Sequence, residues 1–168
     1  PRSKNPLGRI INTASSCGAS IVLTTKEIAA MVEPMIPDLP IRLAAVTDKT
    51  IGDWDGPKSE INEVAYLQFT SGSTGHPKGV AVKHANAVAN VRMMGEMLSL
   101  NSSKPALVWA PHYHDLCLVC FILGPIYYGY ESTLMSPMDF LLKPARWLQA
   151  MSRYKVANTA CPNFGYEY

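Results

Sequence analysis

The run Thr70-Ser71-Gly72-Ser73-Thr74-Gly75-His76-Pro77-Lys78-Gly79 packs three glycines, four hydroxyl side chains and one lysine into ten positions. Glycines let a backbone aim successive N–H groups at an anion, Ser and Thr hydroxyls add donors, and a lysine brings a point charge to phosphate oxygens. This is the chemistry of a phosphate cradle. The spacing excludes the P-loop of nucleotide triphosphatases, which needs G-x-x-x-x-G-K-[ST]. Here Gly72 lies six positions before Lys78, and Gly79 follows the lysine. On composition alone the run also fits a surface turn. The candidate phosphate-binding residues are Thr70, Ser71, Gly72, Ser73, Thr74, Gly75, Lys78 and Gly79.

A second group, Pro111-His112-Tyr113-His114-Asp115, follows an apolar run that reads as a strand, and open α/β sheets place ligands beyond strand ends. Two readings compete. Imidazole and carboxylate in H-x-H-D spacing suit zinc, but further ligands must come from elsewhere. Only His76 and His84 remain, and His76 lies inside the glycine-rich run. Alternatively, one histidine orients a substrate carboxylate or meets negative charge developing on it. Asp115 reads by position as a helix N-cap or a partner of the histidine rather than a base. Cys117 and Cys120 have the C-x-x-C spacing of zinc and redox sites, but Leu116, Leu118, Val119 and Phe121 surround them and no second Cys pair follows. They read as inert core thiols, with a reducing compartment as the corollary.

The elements that must position these groups alternate between β-rich runs and amphipathic stretches. Strands are expected at 21–24, 41–46, 64–69, 106–109, 131–135 and 156–160, with a brief extension at 80–82. Helices are expected at 26–33, 84–98, 116–128 and 144–154, the first stopped by Pro34, the third closed by Gly129 and the last opened by Pro144. On 84–98, Val88, Val91, Met94 and Leu98 share one apolar arc, with Met93 and Met97 outside it. Residues 49–62, with two glycines, a proline and several charges, read as a linker-like loop. The expected fold class is α/β: a partial doubly wound, mostly parallel sheet with helices on both faces.

Composition narrows the partners. The chain has 168 residues, 48% hydrophobic and 17% charged, with a net charge of +2 and no Lys/Arg stripe interleaved with aromatics, so nucleic acid is not an expected partner. No transmembrane segment is expected, since the longest apolar candidate, 116–128, falls short of the ~18 residues a span needs. The first residues lack the apolar core of a signal peptide, and a cytoplasmic location is expected. The start without Met and the end at Pro162–Tyr168, where a new element should begin, lead us to expect a piece of a longer protein.

The string Leu67-x-x-Thr70-Ser71-Gly72-Ser73-Thr74-Gly75-x-Pro77-Lys78-Gly79 resembles the phosphate-loop signature of the adenylate-forming (AMP-binding) superfamily. This superfamily comprises acyl-CoA synthetases, fatty acyl-AMP ligases, luciferases and the adenylation domains of peptide synthetases. Trp109-x-Pro111-x-Tyr113-His114-Asp115-x-x-Leu118 is similar to its second motif, whose histidine lies beside the carboxylate being adenylated. Ser136-Pro137-x-x-Phe140-Leu141-x-x-Pro144-x-x-Trp147-Leu148, with Ala160-Cys161-Pro162-Asn163-Phe164, resembles fatty acyl-AMP ligases and their acyl-CoA synthetase relatives.

The resemblance implies that residues 1–168 are part of one N-terminal AMP-binding domain, without the C-terminal catalytic subdomain and the downstream nucleotide-binding segments. It implies ATP and Mg2+ as cofactors and a medium- or long-chain fatty acid as substrate. The acceptor is an acyl carrier protein or a polyketide or peptide synthetase module, or coenzyme A. His114 and Lys78 take catalytic roles, and Phe164 joins His114 on the substrate side, whereas Trp147 reads first as a core aromatic. Cys117 departs from the pattern, which has glycine there, and would crowd the substrate side. The fragment alone is expected to be inactive. A different class of function, a non-catalytic binding or interaction module built on the same fold, stands as the alternative.

Overall fold

In the computed structural model the described residues are 6–35, 41–46, 55–56, 58–70 and 78–167, and they fall into two compact units that divide after Val82. In the first unit α1 (Pro6–Cys17) places proline at its first position, where a missing N–H costs nothing. Gly18, at φ 65°, then turns the chain left-handed, and the Gly18 and Ala19 amides close back on the Ser15 and Ala14 carbonyls in a Schellman motif. The sequence reading assigned no element before Ile21. Among the residues of this helix whose burial is described, Ala14 is the one in the buried core.

β1 (Ile21–Thr24) pairs in parallel with β2 (Arg42–Ala45), in register from Ile21 opposite Arg42 to Thr24 opposite Ala45. Parallel strands need a crossover. It contains α2 (Lys26–Val32), whose N-cap Thr25 accepts the Ile28 amide at 3.4 Å, and a 3-10 turn (Glu33–Met35) that absorbs Pro34 instead of ending at it. β3 (Val64–Thr70) and β4 (Lys78–Lys83) form a second two-stranded sheet. β4 is longer than the expected 80–82, so Lys78 and Gly79 open a strand and Thr70 closes one. Gly79 is bare for a reason: a Cβ there would meet the Phe69 ring at 3.0 Å. In the expected linker at 49–62, residues 55, 56 and 58–62 carry no helix or strand; the remainder lies outside the described residues.

The second unit is built on β5 (Ala106–Val108), which pairs in parallel with β6 (Ser132–Leu134) on one side and β7 (Asn158–Thr159) on the other. All three residues of β5 are buried, and successive side chains leave on opposite faces. Ala106, Val108 and Ala110 pack with Cys117, Cys120, Phe121 and Tyr130, while Leu107 and Trp109 pack with Phe140 and Trp147.

Helices cover both faces. α3 (His84–Leu98) and a continuous helical segment over 115–128 lie on the Val108 side. That segment comprises α4 (Asp115–Cys117), a π-helical stretch (Leu118–Leu123) and α5 (Gly124–Tyr128), closed by Gly129 at φ 73° as the sequence reading expects. α6 (Pro137–Leu142), α7 (Ala145–Arg153) and a final 3-10 turn (Asn163–Tyr166) follow, with Phe140 of α6 and Trp147 of α7 in the Trp109 cluster. The α6 helix was not expected; it is too short to show a period. In α3, Val91 and Gly95 are the buried residues, and Leu98 of the expected arc is 41% exposed. Leu100, just past the left-handed cap at Ser99, takes its place in the core.

The strand order β6-β5-β7 means that the chain moves one way from β5 to β6 and then returns across β5 to β7. Right-handed crossovers in opposite directions must use opposite faces, as the two clusters do. The reversal leaves a crevice at the carboxyl end of β5, the place where doubly wound sheets bind ligands. The fold is therefore mixed α/β with parallel strands, as expected. No described helix is long and apolar enough to cross a membrane.

Candidate active site

Past Val108 the strand continues as buried Trp109 and Ala110, and the Met135 amide still reaches the Val108 carbonyl at 2.8 Å. The chain then turns sharply, with the His114 amide on the Pro111 carbonyl at 2.9 Å, and the His114 carbonyl accepts the Leu118 amide at 2.9 Å to begin the helix. The N-cap is thus His114 (φ −81°, ψ 139°) and not Asp115, which occupies the first helical position. There a carboxylate complements the positive end of the helix dipole.

Two donors and acceptors crowd this cap. His114 Nδ1 lies 2.7 Å from Asp115 Oδ1, while the Leu116 amide is 2.8 Å from Asp115 Oδ1 and 3.2 Å from His114 Nδ1. A nitrogen lone pair and a carboxylate oxygen repel at 2.7 Å, so a proton lies between them. Nδ1–H then donates to Asp115, the carboxylate takes the shorter bond from Leu116, and the ring's acceptor lone pair is left on Nε2. The side chains are 53% and 69% exposed, so the pair adds little to stability but stays accessible. Its effect is to fix the tautomer and direction of the ring.

Beside this cap, at the carboxyl ends of β5 and β6, lies a cleft of about 380 Å³ whose wall includes His112, Tyr113, Cys117, Met135 and Ser136. His112, for which the sequence reading found no role, is on this wall, and its ring meets Tyr113 edge-on at 5.3 Å. Leu134 and Met135 were missed as site residues, although the end of a strand beside β5 was the available signal. Burial pushes the Cys117 thiol up from its ordinary pKa, and burial, then Cys117 and Asp115, do the same for Cys120. Both thiols stay protonated and sit in the core, as expected. Among the described residues no three His, Cys, Asp or Glu side chains converge as a metal-ligand set.

Phe164 lies edge-on to Trp109 at 5.8 Å and is 47% exposed. Trp147 is a core residue: it is 5% exposed, and its Nε1–H donates to Thr159 Oγ1 at 3.1 Å, which in turn donates to the Leu107 carbonyl at 2.7 Å. In the other unit, Thr70 and Lys78–Gly79 are the two anchor points of the glycine-rich run, with Lys78 exposed at the start of β4. Ser71, Gly72, Ser73, Thr74 and Gly75 lie outside the described residues.

The family of AMP-binding enzymes matches residues 4–166. The chain belongs to this family. Among curated relatives, the medium-chain-fatty-acid–[acyl-carrier-protein] ligase JamA of Moorena producens is 42% identical over 115 residues, which cover 68% of this chain and 19% of that protein. The long-chain-fatty-acid–AMP ligase FadD32 of Mycolicibacterium smegmatis is 32% identical over 181 residues, covering 100% of this chain and 28% of its own length. Among solved structures, a fatty acyl-adenylate ligase from L. pneumophila in complex with acyl adenylate and pyrophosphate superposes with a TM-score of 0.84 at 32% identity, over 98% of this chain and 29% of that one. The chain therefore spans less than a third of the length of each of these three proteins. The glycine-rich run and the His114–Asp115 cap both lie inside the matched region of this AMP-binding family member.

Proposed function

We propose that a protein carrying this chain activates a medium- or long-chain fatty acid with ATP, forming an acyl adenylate and pyrophosphate. In that reaction a carboxylate oxygen attacks the α-phosphorus, the new acyl–O–P bond forms, and the bond from that phosphorus to the pyrophosphate oxygen breaks. The observation that carries this reading is the His114–Asp115 pair at the switch point of the sheet. Its ring is held by a carboxylate at 2.7 Å and its side chain is half exposed, suited to hold a substrate carboxylate or to meet charge that develops as it reacts.

Thr70, Ser71, Gly72, Ser73, Thr74, Gly75, Lys78 and Gly79 hold the β- and γ-phosphates, with Lys78 as counter-charge to the departing pyrophosphate. Most of the rate then comes from positioning and charge stabilisation. Mg2+ belongs to this reading as the usual companion of ATP phosphates. The described residues offer no carboxylate set for it, and no step here is assigned to it. Phe164 lies on the acyl side, where each buried methylene contributes about 0.8 kcal/mol. The acyl group next passes to the phosphopantetheine thiol of a carrier protein, the acceptor class named for JamA, or to coenzyme A.

ATP–pyrophosphate exchange tests the reading, run on the protein carrying this chain with a ladder of fatty acids. Exchange that needs a fatty acid, is abolished in Lys78→Ala and is weakened in His114→Ala is the expected result. Folded protein that exchanges with no acid would replace it by the binding-module alternative, and efficient acyl-CoA formation would exclude a carrier-protein-only acceptor.

A further inference from the structure

The helix that His114 caps is not regular. Residues Leu118–Leu123 are π-helical, and the Gly124 amide reaches back five residues to the Val119 carbonyl. Pro125 follows inside the helix. In α-helical register the residue at 125 would serve the Phe121 carbonyl, and in π-helical register the Cys120 carbonyl; proline has no N–H for either. Two hydroxyls from outside the helix fall on these two acceptors. Tyr130 donates to the Cys120 carbonyl, and Ser132 Oγ donates to the Phe121 carbonyl at 2.8 Å. Tyr130 is 4% exposed, so water does not compete for its bond. Gly124 makes room for it, because a Cβ there would collide with the Tyr130 hydroxyl.

We propose that Tyr130 and Ser132 are positioning residues for His114 and Asp115, holding the π turn that sets the rotation of the helix's first turn relative to its last. A π turn inserts one residue, which rotates the two ends of a helix by about 100° and separates them by about 1.5 Å relative to a regular α-helix. The last turn is anchored independently: Gly129 caps it in the left-handed region, and Tyr128 lies against Gly95 of α3. With that end fixed, the register of 118–123 decides where residues 114–117 point. The present register puts Cys117 in the core at 1% exposure and leaves the His114–Asp115 pair exposed at the crevice. The catalytic consequence rests on the reading of His114 given above; the helix register does not.

The test is Tyr130→Phe combined with Ser132→Ala in the protein carrying this chain, which removes two hydroxyls and little volume. The crystal structure of the variant is expected to lose the π register and to show the His114–Asp115 turn rotated. Exchange per folded molecule is expected to fall roughly ten- to a hundredfold in kcat, with KM for ATP changed by less than about twofold, since misplaced groups lose rate rather than phosphate binding. Ser132→Thr, which keeps the hydroxyl, should retain both register and rate. A variant structure with the π turn and His114 in place overturns the proposal whatever its activity. A moved His114 with an unchanged kcat overturns the positioning role. If the double variant does not fold, Ser132→Ala alone is read the same way, an unchanged register and rate counting against the proposal. Absence of exchange in the unmutated protein would instead remove the adenylation reading, and the variant structure would still decide the register.

Discussion

The phenol of Tyr128 occupies the space that a side chain at Gly95 would need, and its hydroxyl donates to the Arg92 carbonyl at 3.4 Å. Helix propensity favours alanine over glycine by about 1 kcal/mol in a helix interior. Here a methyl group would strike both the hydroxyl and ring carbons of Tyr128, so the ring must leave its seat. Overpacking of this kind costs about 1–3 kcal/mol. Gly95→Ala is therefore expected to destabilise, which a lower denaturant midpoint at unchanged m would show. A raised midpoint would mean that Tyr128 repacks without loss.

Tyr130 gives stability a distinct dependence on pH. Burial, with Cys120 and Tyr128 adding to it, pushes its phenol from 10.0 up to about 12. The folded protein therefore keeps the proton that the unfolded chain releases first. Below pH 10 the contribution is complete, and between pH 10 and about pH 12 the unfolded state binds fewer protons and stability falls. Phenylalanine does not titrate. The stability of the unmutated protein minus that of Tyr130→Phe should decline across this window, and a flat difference would show that the phenol is not buried as described.

The thiols should separate by location. Cys17 is exposed, Cys161 is partly buried, and Cys117 and Cys120 are buried, with their pKa values raised. Alkylation requires the thiolate and access to it. Mass spectrometry of the iodoacetamide-treated native protein should find Cys17 modified first and the C-x-x-C pair protected until denaturant is added. Labelling of Cys120 as fast as Cys17 would contradict the core placement of the pair.

What could be read from the sequence depended on whether a residue's role is local. The α3 span was legible over its full length, because fifteen residues carry a helical period. Its buried face was legible in part: Val91 is buried, Met94 packs on the core and Met93 and Met97 are exposed, as the arc requires, but Leu98 is exposed, and Gly95 is buried because Tyr128, thirty-three positions on, needs the bare backbone. The α6 helix offered Ser136 as a cap, accepting the Met138 amide at 3.2 Å, and Pro137 behind it, yet it is too short to show a period. At the site, the Asp115 contact of His114 was legible because the two residues are adjacent. That His112 lines the cleft was not, since the turn closed by the His114 amide on Pro111 sets its direction. Lys78 and Gly79 read as loop from composition, but pairing with β3 draws them into a strand.

Cys117 offers a direct test of where the acyl group goes. It is 1% exposed and lines the cleft of about 380 Å³ at the carboxyl ends of β5 and β6, one turn beyond the His114 cap. If that cleft receives part of the substrate next to its carboxylate, removing the side chain deepens it. Cys117→Gly should raise kcat/KM for bulkier or longer acids relative to shorter ones in the protein carrying this chain, and Cys117→Ala should do so less. Glycine here also costs about 1 kcal/mol of helix propensity, so rates must be compared per folded molecule. Because one missing methylene in an apolar pocket discriminates by about 1–3 kcal/mol, the shift in preference should be tenfold or more. An unchanged ranking of acids, with exchange intact, would place the acyl chain elsewhere and leave Phe164 as the residue to examine next.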